Sequence, residues 1–89
     1  MRTIRMIVKG KVQGVYYRAS AKKTAEQLSI RGWIKNLPDR NVEINAIGSE
    51  ELIQKYIDWC RQGPLGAVVQ DVIVEDIPEE GFTDFRILK

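Results

Sequence analysis

The feature that most constrains the fold is a change from the hydrophobic period of a strand to that of a helix, which occurs twice along the chain. Apolar residues alternate in some stretches, as in half-buried strands, and recur about every 3.6 residues in others, as in amphipathic helices. The predicted elements are, in chain order, a strand at 3–12, a helix at 19–30, strands at 33–37 and 42–47, a helix that follows the capping residue Ser49 and ends at Gly63, a β-rich run from Val68 to Ile77 and a final strand from Phe82 to Leu88.

This order, βαββαβ with an extra terminal strand, limits how the elements can pack. Two helices that each carry one apolar stripe can both bury it only against the same face of a shared sheet. A right-handed crossover makes the first two strands parallel and leaves room for the third strand between them. The sequence therefore predicts an α+β fold, a ferredoxin-like two-layer sandwich with two helices on one face of a mainly antiparallel sheet, as a single domain over 1–89.

The predicted topology brings two distant polar residues to one edge of the sheet. Arg18 lies just past the end of the first strand, and Asn36 lies near the end of the second. Asn36 shares a strand face with Ile34, which the alternation turns toward the core. Because the first two strands are parallel in this fold, their ends meet at one edge. We therefore predict that Arg18 and Asn36 are neighbours.

The segment from Val8 to Arg18 is predicted to be a strand, a tight loop and the beginning of a helix. Gly14 allows a close turn without a Cβ clash. Backbone N–H groups of the turn and of the first helical residues have no partner inside the helix, so together they favour an anion. Arg18 adds a planar cation that matches a phosphate or a carboxylate. Spacing alone fits two interpretations equally, a phosphate-binding loop or an ordinary strand–helix connection.

The composition excludes several kinds of chemistry. The chain has no histidine and a single cysteine, Cys60, which excludes the usual Ser-His-Asp and Cys-His mechanisms, an internal disulfide and a zinc-type cysteine cluster. Cys60 lies on the apolar stripe of the second helix, where we expect a packed core residue. The net charge of +2 does not decide the kind of partner. No stretch is long and apolar enough for a signal peptide or a bilayer span, so we expect a cytoplasmic protein without a membrane partner.

Two ordered motifs carry a family resemblance. The first is Gly10-x-Val12-Gln13-Gly14-Val15-Tyr16-Tyr17-Arg18, and the second is Gly32-Trp33-Ile34-Lys35-Asn36-Leu37-Pro38-Asp39. With their spacing, and with Gly63-Pro64 further on, the chain resembles the acylphosphatase family over nearly its whole length. The fold that this family implies is the sandwich already predicted from the periodicity.

The resemblance also implies an activity and a set of site residues. Members of the family hydrolyse carboxyl-phosphate mixed anhydrides, which are small-molecule acyl phosphates, to a carboxylate and inorganic phosphate. Arg18 corresponds to the phosphate-binding arginine and Asn36 to the asparagine that positions water. The resemblance implies no metal or cofactor. We expect a monomer, with phosphate or another anion bound at the loop. The backbone amides that would bind it belong to Gln13, Gly14, Val15, Tyr16, Tyr17 and Arg18.

Two departures from the family pattern call for expectations of their own. Tyr16 stands where Phe or Gly is common and Tyr17 where Phe is common, and we expect their hydroxyl groups to sit at the solvent rim. The hairpin turn has Asp39-Arg40-Asn41 where Asp-Gly is usual, and we expect Asn41 to take the left-handed conformation.

Two other functions are weighed against the enzyme. The same scaffold occurs as a non-catalytic domain of larger carbamoyl-transfer proteins, but this chain keeps both Arg18 and Asn36, which favours the free enzyme. An RNA-binding module can share the βαββαβ order and stacks bases on aromatic residues of its central strands. The first and third predicted strands have no aromatic residue, so we expect no nucleic-acid partner.

Overall fold

A computed structural model describes all 89 residues and contains five strands and two helices in the predicted order. The elements are β1 (Arg2–Lys11), α1 (Tyr17–Gln27), β2 (Arg31–Asn36), β3 (Val42–Gly48), α2 (Glu50–Gln62), β4 (Val68–Asp76) and β5 (Phe85–Ile87). Neither helix has the length and apolar character that a membrane-spanning helix needs.

The strands form one sheet in the order β4-β1-β3-β2-β5. β3 pairs antiparallel with both β1 and β2, and β4 pairs antiparallel with β1, whereas β5 pairs parallel with β2. β1 and β2 are therefore parallel to each other with β3 between them, as the crossover rule predicted. Both helices pack on this mixed sheet, and the predicted ferredoxin-like α+β sandwich is confirmed.

The core lies between the helices and the sheet. Alternate strand residues, among them Ile4, Ile34 and Ile44, are fully buried, and burying each such side chain stabilises the fold by about 1.5–3 kcal/mol. The two helices are also joined by a polar contact, because the buried hydroxyl of Tyr56 donates a hydrogen bond of 3.0 Å to the carbonyl of Ala21. The helix layer is therefore held to the sheet by apolar packing and tied within itself by a satisfied buried hydroxyl.

The first helix begins two residues earlier than predicted, and this corrects the expectation for Tyr17. Its side chain is buried, with a hydroxyl that donates a 2.9 Å hydrogen bond to the carbonyl of Cys60. Tyr17 continues the apolar stripe of Ala21 and Ala25 by one more turn, so its hydroxyl does not lie at the solvent rim. Tyr16, which precedes the helix, is 84% exposed and does lie at the rim.

The hairpin turn between β2 and β3 also differs from the expectation. Arg40, and not Asn41, has the left-handed conformation, with φ of 73°. Asp39 explains the shift, because its side chain accepts hydrogen bonds from the backbone N–H of Asn41 at 3.1 Å and from its side-chain amide at 3.2 Å. This local Asx-type contact holds Asn41 in place, so the preceding residue takes the positive φ.

Candidate active site

The loop between β1 and α1 borders a cavity of about 390 Å³ at one end of the sheet. Most of the residues predicted to bind phosphate line it, and Arg18 is among them. Val15 does not, because its side chain packs against the core. The lining residues are Val12, Gln13, Gly14, Tyr16, Tyr17, Arg18, Ala19 and Ile87. The structure therefore assembles a concave surface around the loop, and no carboxylate is part of that surface.

The backbone of this loop leaves a row of donors unused. No N–H group of residues 13–19 donates a hydrogen bond to any protein acceptor; the first such donor is the N–H of Ser20, which bonds the carbonyl of Tyr16 at 3.0 Å. These groups belong to the loop and to the first turn of α1, where the helix itself offers no acceptor. Unpaired N–H groups in such a run carry partial positive charge and suit an anion.

Two residues of the loop have left-handed backbone conformations. Gly14 has φ of 74°, and Tyr16, which precedes α1, has φ of 60°. Alternation of right-handed and left-handed residues turns successive N–H groups toward one side of the chain, as in anion-binding nests. The conformation is costly for Tyr16, since a left-handed L-residue is about 1–2 kcal/mol less favourable. Strain of this kind collects at functional sites.

Arg18 is a free cation at the beginning of α1. Its side chain is half-buried, lines the cavity and joins no ion pair with an acidic residue. Arg5, on the sheet face away from the helices, shows the opposite behaviour, because it pairs with Glu43 at 2.7 Å and this contact raises the pKa of the arginine. The charge of Arg18 therefore has no protein counterpart and is available to a ligand.

Asn36 is the last residue of β2 and lies at the same end of the sheet. It does not line the cavity itself, but its neighbours reach the loop: the side chain of Gln13 bonds the carbonyl of Leu37 at 2.9 Å, and Ile87, which pairs with Ile34 of β2, lines the cavity. The side-chain oxygen of Asn36 is buried and has no hydrogen-bond partner. A buried acceptor without a donor destabilises the fold by about 1–3 kcal/mol, so a bound molecule that donates a hydrogen bond to this oxygen would recover that free energy.

The core beneath the loop fixes where α1 begins. The ring of Tyr17 contacts that of Trp59, with centroids 5.6 Å apart, and burial raises the pKa of its phenol well above the usual value. Burial likewise raises the pKa of the Cys60 thiol to about 12, so this thiol is protonated at neutral pH and is not a nucleophile. Cys60 is a packed core residue, as the sequence predicted.

Sequence reasoning missed several residues around this cavity. Ile87 was assigned only to a final strand, and that strand is limited to Phe85–Ile87. Ala19 was taken as the beginning of the helix and not as a residue of the cavity wall. Gln13 was assigned only through its backbone amide. Helical spacing from Ala21 back to Tyr17 could have found the earlier beginning of α1, whereas no local pattern signals the side-chain contact of Gln13.

Comparison with known proteins identifies the family of the chain. The acylphosphatase family model matches residues 4–87. The chain belongs to the acylphosphatase family. An acylphosphatase from Marinobacter nauticus is 48% identical over 82 residues, which cover 91% of this chain and 89% of the relative. The crystal structure of acylphosphatase from Bacillus subtilis matches with a TM-score of 0.97 and 34% identity over 100% of both chains.

The family resemblance and the enzyme class predicted from the two motifs, acylphosphatase, are thus confirmed. The scaffold also occurs inside a larger protein. A crystal structure of HypF from T. kodakarensis matches with a TM-score of 0.84 and 34% identity over 100% of this chain but 12% of that one.

No group of three or more acidic or cysteine side chains is arranged to hold a metal ion.

Proposed function

We propose that this acylphosphatase-family protein hydrolyses small carboxyl-phosphate mixed anhydrides by direct attack of water. The observation that carries the proposal is the row of unpaired N–H groups at residues 13–19, next to the unpaired guanidinium of Arg18. An acyl phosphate presents several anionic oxygens on one phosphorus atom. A row of amide donors and one planar cation is the arrangement that suits such a group.

In this proposal the loop and Arg18 stabilise the phosphoryl group as it is transferred. Phosphoryl transfer passes through a loose, in-line transition state with negative charge on the equatorial oxygens. Donors that are already in place need no reorganisation when this charge develops, so they favour the transition state over the free substrate. The acyl group leaves as a carboxylate, which is a good leaving group, and no covalent intermediate with the protein is required.

Asn36 orients the water in this scheme. Its buried side-chain oxygen would accept one hydrogen bond from the attacking water, at the end of β2 beside the loop. The water oxygen forms the new bond to phosphorus while the bond from phosphorus to the acyl oxygen breaks. The cavity wall contains no carboxylate, and the chain contains no histidine. The proton of the water therefore passes to a phosphoryl oxygen of the substrate, and the products are a carboxylate and inorganic phosphate.

The test is hydrolysis of benzoyl phosphate by the protein and by Asn36→Ala. We expect the native chain to release phosphate and Asn36→Ala to lose about 10²–10³-fold in kcat, the usual cost of removing one positioned polar group. The inhibition constant of inorganic phosphate should be the same for Asn36→Ala as for the native chain, because the loop and Arg18 remain. This split between kcat and phosphate affinity is expected because Asn36 contacts water and not phosphate.

Asn45→Ala is the matched control. Asn45 lies between core-facing Ile44 and Ala46, so it points to the sheet face that the helices leave uncovered. The Asn45→Ala variant should have the same kcat as the native chain. Phosphate binding without any hydrolysis by the native chain would support a non-catalytic binding domain instead, and full turnover by Asn36→Ala would remove Asn36 from the mechanism.

A further inference from the structure

The side chain of Gln13 connects the phosphate loop to the hairpin that carries Asn36. Its amide nitrogen donates two hydrogen bonds, each of 2.9 Å, to the carbonyl oxygens of Leu37 and Asn41. These contacts are partly buried. Both donor hydrogens of the amide are used, and both acceptors are main-chain atoms of the β2–β3 turn. Gln13 therefore contacts two rigid points of the turn and not a mobile side chain.

The β2–β3 turn has backbone hydrogen bonds of its own, so the Gln13 side chain binds a turn whose shape is already fixed. The N–H of Leu37 bonds the carbonyl of Asn41 at 2.8 Å, and the N–H of Arg40 bonds the carbonyl of Leu37 at 3.1 Å. Leu37 is the residue directly after Asn36. A hydrogen bond to the carbonyl of Leu37 therefore restrains the backbone at the base of the Asn36 side chain.

No other hydrogen bond connects the phosphate loop to the β2–β3 turn. β1 and β2 are separated by β3, so the strands that precede the loop and the turn do not pair with each other. No backbone hydrogen bond joins residues 12–16 to residues 36–41. The two parts of the site, the amides that suit a phosphate and the carboxamide that suits a water, are thus connected directly through one glutamine side chain.

We propose that Gln13 is a positioning residue, which sets the place of Asn36 relative to the phosphate loop. The proposal rests on the hydrolytic function proposed above. Displacement of a reacting group by about 1 Å costs on the order of 10²-fold in rate. Loss of the two hydrogen bonds should therefore slow the attack of water and leave the phosphate-binding groups intact, because the N–H groups of the loop and Arg18 are not removed.

The test uses Gln13→Met, which keeps the length of the side chain and removes both donors. We expect kcat for benzoyl phosphate to fall by about 10–100-fold, with the inhibition constant of inorganic phosphate within about threefold of the native value. Gln70→Met is the matched control, because Gln70 is an exposed glutamine of β4. A second variant, Gln13→Leu, also removes both donors and adds no charge to the cavity that Gln13 lines. It should show the same selective loss of kcat.

A double-mutant cycle separates positioning of Asn36 from general damage to the fold. In Gln13→Met/Asn36→Ala the loss should be no greater than in Asn36→Ala alone, since Gln13 then has no carboxamide to position. Additive losses, unchanged kcat in both Gln13 variants, or a parallel loss of phosphate affinity would overturn the inference. If the native chain releases no phosphate from benzoyl phosphate, the proposed function fails. If Asn36→Ala has native kcat, the role of Asn36 and this inference fail together, and if only the Gln13 variants have native kcat, this inference alone fails.

Discussion

The two helices of this protein begin in opposite ways. α2 has a capped N-terminus: the hydroxyl oxygen of Ser49 accepts a hydrogen bond of 3.3 Å from the N–H of Leu52, and Glu50 and Glu51 place negative charge in the first turn. α1 begins after Tyr16, which has a left-handed backbone and no capping side chain, and its first turn has no acidic residue. The N-terminus of α2 thus has a capping side chain and acidic residues, whereas the N-terminus of α1 has neither and leaves its donors unpaired.

The N-terminus of α2 has residues that stabilise the helix, whereas the N-terminus of α1 lacks them and is available to a ligand. A capping side chain contributes about 0.5–2 kcal/mol, and acidic residues in the first turn about 0.3–1 kcal/mol each. α2 has both contributions and α1 has neither. α1 is held in place by core contacts instead, through the buried ring and hydroxyl of Tyr17. A helix that packs well can leave its N-terminal donors free for an anion, which is the state that the proposed reaction needs.

The largest effect that would test this comparison is expected from Arg18→Ala. The variant removes the cation beside the free N-terminus of α1, so both phosphate binding and transition-state stabilisation should be reduced. We expect kcat/KM for benzoyl phosphate to fall by about 10²–10³-fold, roughly 3–4 kcal/mol. Steady-state hydrolysis and inhibition by inorganic phosphate measure the two losses separately.

Lys23→Ala is the control for Arg18→Ala. Lys23 is an exposed cation of the same helix, further from its N-terminus, and it does not line the cavity. It should retain kcat/KM within about twofold, because an exposed charge in water interacts weakly over such a separation. Equal losses in the two variants would mean that net positive charge, and not the position of Arg18, assists the reaction.

A smaller effect is expected when the beginning of α1 is made to resemble that of α2. Ala19→Glu places a carboxylate in the first turn, at the wall of the cavity. Without a bound anion the protein should be more stable to urea by about 0.3–1 kcal/mol. The same carboxylate repels a phosphoryl group by about 1–2 kcal/mol, so KM should rise roughly tenfold.

Ala19→Gln adds nearly the same volume without the charge, so the difference between the two variants isolates the electrostatic effect. Opposite signs, greater stability together with weaker substrate binding, are the expected signature of an N-terminus left free for an anion. A rise in stability with unchanged KM would show that the substrate does not use this end of α1.

The two helix starts also show what could be predicted from sequence. The Ser49 cap is local, because a Ser followed by acidic residues and an apolar stripe specifies its own geometry, and it was predicted correctly. The order of the elements and the neighbouring ends of β1 and β2 followed from hydrophobic period and crossover handedness. The free N-terminus of α1 was predicted as a possibility, and the family resemblance was what favoured a phosphate loop over an ordinary connection.

What the sequence did not predict depends on contacts between distant residues. Tyr17 was placed at the solvent rim because its burial depends on α2, where Cys60 and Trp59 receive the hydroxyl and the ring. The Gln13 contact depends on the turn geometry around Arg40, where the positive φ was assigned to the wrong residue. Side-chain direction in a loop is set by tertiary contacts, and hydrophobic periodicity carries no information about them.

The smallest effect is expected at α2, where Ser49→Ala removes the cap. The free energy of unfolding in urea, followed by tryptophan fluorescence, should fall by about 0.5–2 kcal/mol. Ser49→Asp, which also caps, should restore most of it. Neither variant should change kcat/KM, because Ser49 does not line the cavity. A loss of activity in Ser49→Ala at constant stability would contradict the difference between the two helices, since the capped N-terminus of α2 would then also affect the reaction.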